Sequence, residues 1–198
     1  PVLDGFEKTD ILPFGGRLET VQAAEGTRVP LTFVPPFPIF PPEMAYMRQD
    51  RSDTPALVLN EEREGRVAYL AANLDWCYGA WRLPDHGDLL ANLVRWTARG
   101  NVPLSVEGPG LLDCHFYSQP GRVIVHVVNL SGAGAWSRPM EEPNPVESLT
   151  LGVRVPTDVT GRRAETLVSG EQLHTRAREG WVYVDLPTVR EHEVVVIS

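Results

Sequence analysis

The sequence predicts a mixed, α+β fold in which a partial α/β unit is followed by an all-β antiparallel sandwich. Three observations carry this reading. A sustained helical period occurs in one segment alone, between Asp85 and Gly100; short apolar runs precede it; and beyond Gly100 the chain alternates in strand fashion between Gly, Pro, Asn and Ser punctuation. The change of texture near Gly100 sets the expected domain division, 1–100 and 101–198. With 198 residues, 42% hydrophobic and 22% charged, the chain has the length for one large or two ordinary domains and the composition of a folded protein.

Taken in order, residues 18–22, 31–34, 56–60 and 66–71 are short apolar runs, the last leading as a buried-looking strand into the stretch from Leu70. Between them lies VPPFPIFPPE, residues 34–43, with five prolines in ten positions. Proline fixes φ and lacks an N–H, so this segment takes an extended, polyproline-like path and excludes both helix and central strand. It reads as a rigid crossing loop that Phe37 and Phe40 anchor on the same protein or on a neighbouring subunit. The PxxP spacing of Pro38 and Pro41 also suits the aromatic groove of a signalling domain.

The helix is expected to begin with Asp85 as N-cap, preceded by Pro84, with Asp88 offering a second carboxylate to the free N–H groups and the positive dipole end. Its core stripe reads Leu89, Leu90, Leu93, Val94 and Trp96, and Gly100 stops it as a left-handed residue. Beyond it, runs near 103–107, 111–118, 122–130, 148–155, 163–169, 181–186 and 191–197 give seven short strands, the pattern of an antiparallel sandwich. Val123, Val125 and Val127 share one face of their strand and Ile124, His126 and Val128 the other, which makes His126 a packed or sheet-surface histidine rather than a ligand.

Charge excludes several functions. A net charge of −8 and a pI near 5.1, with Lys8 the sole lysine and the arginines dispersed, do not fit binding to nucleic acid or to an anionic membrane surface. Cys77 and Cys114 form no CxxC pair and have no metal-ligand spacing, so no metal is expected. Reduced, buried thiols are the expected state, and a disulfide between them stays open. No glycine loop or dinucleotide fingerprint implies a cofactor. No apolar run reaches the ~20 residues of a membrane span, and the first residues lack the regions of a signal peptide. The reading therefore favours a soluble, cytoplasmic protein over a secreted one without fixing the compartment. The opening Pro1, running straight into folded-looking sequence, reads as the start of a piece cut from a longer polypeptide.

The chemistry-bearing residues concentrate between the strand near 66–71 and the helix, in a stretch read as a loop that carries Asp75, Trp76, Tyr78, Trp81, Arg82, Asp85 and His86. Aromatic faces flanked by carboxylates and an arginine grip sugar rings, because ring C–H groups stack on the aromatics while hydroxyls pair with the charges. The same residues also suit a plug in the seam between two domains. For catalysis the sequence is thin. Glycoside hydrolysis needs two carboxyl groups about 5–10 Å apart, and Asp75 and Asp85 are the available pair, yet Asp85 is already assigned to the helix start. His86, beside Asp85 and Asp88, fits a proton carrier or a surface contact. No GxSxG elbow or thiol-enzyme signature occurs. On its own residues the chain reads as a non-catalytic module.

The segments GFEKTDILPFGG, LTFVPPFPIFPPE, EGRVAYLAANLDWCYGAWRLPDHGDLLANLVRW, VIVHVVNLSG and HEVVVIS, in this order, resemble the carboxy-terminal part of a group of bacterial glycoside hydrolases. Those proteins join an amino-terminal (β/α)8 catalytic barrel to a glutamine-amidotransferase-like, flavodoxin-like α/β domain, similar to the trimerisation domain of family 42 β-galactosidases, and end in a β-sandwich. The resemblance spans essentially the whole chain. It implies that residues 1–100 are the second half of the α/β domain and 101–198 the sandwich, and that the partners are further copies in a homo-oligomer such as a trimer, or the upstream barrel, with carbohydrate nearby. No barrel is present, so no catalytic residue of the family falls on any position. Cys77, in DWCYG, does not match the nucleophile elbow of a working glutaminase, and fold likeness confers no activity.

Overall fold

The computed structural model describes residues 2–132 and 144–198. The chain forms two compact units that divide between Asn101 and Val102.

In the first unit β1 (Arg28–Thr32), β2 (Pro55–Glu62) and β3 (Gly65–Leu70) form an antiparallel sheet in that order, followed by α1 (Leu74–Trp81) and α2 (Pro84–Thr97); a 3-10 turn covers Pro42–Met44. The two-residue period of the strands sorts their faces. Leu57 pairs with Leu70 and Leu59 with Ala68 on the inner face, while Val58 pairs with Tyr69 and Asn60 with Val67 on the outer one. The inner face, with Leu74, Leu89, Leu93, Trp96 and Val2, makes one core. Residues 18–22 do not become a strand; Leu18 makes only an isolated bridge to Ala72.

Three details of α2 differ from expectation. Its N-cap is Leu83, in extended conformation and without a side-chain cap bond, and Pro84 takes the first helical position. Proline drives the residue before it out of the helical region and tolerates the first turn because its missing N–H would be unpaired there. Asp85 therefore sits inside the first turn, where its charge still favours the helix dipole, and its Oδ2 accepts a bond from Thr9 Oγ1 at 3.3 Å. The packed stripe is His86, Leu89, Leu93 and Trp96; Val94 faces solvent and Leu90 is half-buried. Arg99 and Gly100 both adopt left-handed φ, and the Gly100 N–H closes the end on Arg95 O at 2.9 Å.

The second unit is a β-sandwich. Its strands are β4 (Leu104–Glu107), β5 (Leu112–Gln119), β6 (Arg122–Asn129), β7 (Val146–Arg154), β8 (Ala164–Thr166), β9 (Gln172–Leu173), β10 (Thr175–Arg178), β11 (Trp181–Val189) and β12 (His192–Ile197). They form two antiparallel sheets, β10-β11-β7-β4 and β5-β6-β12-β8-β9. Val123, Val125, Val127, Val195 and Ile197 from one meet Leu149, Leu151, Val153, Val182, Val184 and Leu186 from the other in a single core. Described residues thus hold nine strands where the sequence pattern gives seven; β9 and β10 are short and polar and carry no hydrophobic alternation to announce them. His126 is a sheet-surface histidine, with its Nδ1 3.3 Å from His192 Nε2 and the Tyr117 ring set edgewise to it. Both cysteines are free thiols, Cys77 buried and Cys114 half-buried.

Buried polar groups in the sandwich are satisfied from the backbone, as low-dielectric surroundings require. Asn129 Nδ2 donates to Asn144 O, Val189 O and Arg190 O, and its Oδ1 accepts the Ser131 N–H. The buried Glu193 carboxylate accepts N–H bonds from Val168 at 2.9 Å, Ser169 at 3.1 Å and Val194 at 2.8 Å. Burial alone raises its pKa, but these backbone bonds and Ser169 outweigh burial and hold it below the ordinary glutamate value. A lowered native pKa contributes stability that is present above the unfolded value of about 4.3 and is lost as pH falls through the native one. Glu193→Gln leaves one N–H facing a donor instead of an acceptor. It is expected to lower sandwich stability at pH 7 by about 1–3 kcal/mol and to flatten the acid limb, measured by urea unfolding across pH 3–7; wild-type stability and acid sensitivity in the variant would refute the assignment.

Candidate functional site

The stretch expected to be a loop is mostly helix. α1 runs from Leu74 to Trp81, and Arg82, in left-handed conformation at its C-cap, bonds back from its N–H to Tyr78 O at 2.9 Å. Asp75, Trp76, Tyr78 and Trp81 thus stand on α1, Arg82 in the turn, and Asp85 and His86 in the first turn of α2. Eight residues that include Gly79 and three aromatics have little intrinsic helix stability. The helix forms because Leu74 and Cys77, three apart, bury on one face.

A strap of residues 13–16 crosses this helix pair and fixes it. The Gly15 N–H lies 3.3 Å from Cys77 Sγ, and the thiol in turn lies 3.6 Å from Gly15 O. His86 is fully buried with Nε2 2.7 Å from Pro13 O. A carbonyl only accepts, so Nε2 carries the hydrogen, and Nδ1 is left a buried acceptor without a partner among the described residues. A Cβ on Gly15 would lie 3.0 Å from Trp81 Cζ2, and one on Gly16, whose φ is +99°, 2.9 Å from the Asn73 amide. Both glycines are therefore required by the close approach of backbone to side chain. Pro13, Gly15, Gly16, Asn73 and Cys77 belong to this site, and sequence reasoning did not place them there; the Gly15-Gly16 pair was the available signal.

Trp76 and Trp81 are 58% and 42% exposed, with ring centroids 6.4 Å apart and planes at 72°, and Trp81 lies 5.9 Å from the His86 ring. Tyr78 is turned to a different task. Its ring covers Gly87, where a Cβ would meet Cε2 at 2.8 Å, and the Arg82 guanidinium sits 5.8 Å from its centroid. The structure thus gathers Trp76, Trp81 and His86 in one group and Tyr78, Arg82 and Gly87 in another. Asp75 is exposed in the first turn of α1. Asp85 is exposed and bonded to Thr9, and His86 is sequestered. In the proline segment Phe37 is half-buried and Phe40 is 79% exposed. Among the described residues no three His, Cys, Asp or Glu side chains are placed to hold a metal ion, and no helix is long and apolar enough to cross a membrane.

No protein-family model matches the sequence, and no curated protein matches it. Among solved structures the chain is similar to α-L-fucosidase isoenzyme 2 from Paenibacillus thiaminolyticus, with a TM-score of 0.56 and 20% identity over 73% of this chain and 22% of that one. A weaker likeness, TM-score 0.39 and 16% identity, covers 74% of this chain and 16% of a family 42 β-galactosidase from G. stearothermophilus. The chain spans about a fifth of the length of these proteins. The fucosidase match is a likeness of fold, and it extends over more of the chain than either unit alone.

Two glycines measure how tightly the helix pair is held. Gly79 on α1 is exposed with open space beside it, so Gly79→Ala is expected to stabilise the chain by about 0.5–1 kcal/mol. Gly87→Ala gains the same helix propensity but drives a methyl into the Tyr78 ring, for a net loss of about 1–3 kcal/mol. Urea unfolding of the two variants should show opposite signs; equal gains would mean that Tyr78 does not pack on α2.

Proposed function

We propose that this chain is a non-catalytic accessory and assembly region of a glycoside hydrolase. In this reading residues 1–100 are the carboxy-terminal half of an amidotransferase-like, trimerisation-type α/β domain that contacts further copies or a catalytic barrel, and residues 101–198 are a supporting sandwich. The observation that carries the reading is the fold likeness to the α-L-fucosidase, of whose chain the match covers only 22%. The first unit adds physical support. Its sheet exposes Val67 and Tyr69 on the outer face of the edge strand β3, and α1 and the turn after it expose Trp76, Trp81 and Leu83. Open strand edges and exposed aromatics are what a part-domain presents to its partner.

A second reading makes the chain a carbohydrate-binding module that stacks sugars on Trp76, Tyr78 and Trp81. The half-exposed tryptophan pair favours it, while Tyr78, held over Gly87, does not join them in one plane. A third, a hydrolase using Asp75 and Asp85, draws little support, because Asp85 is engaged with Thr9.

Replacing Trp76 and Trp81 together by alanine in the full-length enzyme should weaken assembly, since buried interface tryptophans each contribute about 2 kcal/mol or more, or raise KM for its glycoside. Sedimentation velocity and steady-state kinetics read both. An unchanged oligomer with unchanged kinetics would overturn the assembly role.

A further inference from the structure

The sandwich carries a second aromatic group, independent of the helix pair. Along β11 the two-residue period sends Val182, Val184 and Leu186 into the core and turns Trp181, Tyr183 and Asp185 to the outer face. The Trp181 and Tyr183 rings lie 6.4 Å apart with planes only 24° from parallel, unlike the crossed pair on α1. Tyr183 lies flat because its register partner on β7 is Gly152, and a Cβ there would meet Tyr183 Cε1 at 2.9 Å. Covering a glycine stabilises a sheet and accounts for Tyr183. It does not account for Trp181, which is half-exposed with the guanidinium of its register partner Arg154 over its ring, 5.3 Å from the centroid.

The aromatic strip ends in a hollow. Asp185 pairs with Thr150 and Leu186 with Leu149, but the next pair in register is Thr188 with Glu147. Pro187 has no N–H to offer and Ser148 turns to a φ of +60°, so the ladder opens. A hollow of about 530 Å³ lies here, lined by the polar Thr150, Glu171, Gln172, His174 and Asp185 and by the apolar Leu149, Leu173, Leu186 and Pro187, a size suited to a small ligand. Asp185 is held as a fixed, ionised acceptor, with a pKa lowered to about 2 by the Arg176 hydrogen bond and then by Thr150.

We propose that this face of the sandwich is a glycan-binding site in which Trp181 and Tyr183 stack on pyranose rings and the adjoining hollow receives a further sugar, its hydroxyls paired with Asp185, Gln172 and His174. Flat aromatic planes take the C–H faces of sugars, and a hollow that sets a few acceptors among apolar side chains takes both their hydroxyls and their C–H groups. The acidic lining does not suit a phosphate or nucleic acid ligand. The proposal rests on the glycoside hydrolase reading only for the choice of glycans to test.

Isothermal titration of the chain with xylohexaose, mannohexaose, cellohexaose, maltoheptaose and β-1,4-galactohexaose should show saturable binding to at least one. Trp181→Leu, and separately the isosteric Asp185→Asn, should each raise Kd about tenfold or more. Asp185→Asn keeps the test decisive if Trp181→Leu does not fold, since exposed ion pairs add little stability. No binding to any of the five, or binding that both sandwich variants leave intact, would overturn the proposal. Either result leaves the assembly reading to its own test, because that test reads oligomer state and kinetics.

Discussion

The close passage of residues 13–16 over α1 and α2 is the contact on which the first unit depends. α1 is too short and too rich in aromatics to hold its shape alone. The strap supplies what it lacks: the Gly15 backbone seated on Cys77 and Trp81, and Pro13 O tied to a histidine that no water reaches. Only glycine lets a backbone come so near to an indole. Trp81 lies against the strap at Gly15, and it and Trp76 stand exposed with ring centroids 6.4 Å apart.

The sandwich joins many short strands in two sheets. Alternating Val and Leu residues define its two inner faces, and buried Asn129 and Glu193 bond backbone groups of the adjoining loops and strands. β11 places its aromatics and its aspartate in one row on an outer face.

Much of this was legible in the residues. The strand pattern after Gly100 announces two packed sheets, Val123, Val125 and Val127 announce which side of β6 is buried, and the outward placement of His126 follows from them. The helix from residue 84 was legible too, although Pro84 rather than Asp85 sets its start, because the proline restricts Leu83 before any side-chain cap can act. Tertiary contacts hid the rest. α1 is made by burial of Leu74 and Cys77 and not by propensity, and the strap joins residues some sixty positions apart, a pairing no local pattern encodes. Of the expected site, Trp76, Trp81 and His86 come together, whereas Tyr78 and Arg82 pack elsewhere and Phe40 points to solvent.

As proposed above, the chain is a part whose exposed aromatic surface on α1 meets a larger partner within the same polypeptide or its copies. The mass of the native polypeptide in its source cells, read by immunoblot with an antibody raised against these 198 residues, tests that most directly. On this proposal the band is far heavier than the chain's own 22.0 kDa. A band at 22.0 kDa would contradict it and make the chain an independent protein.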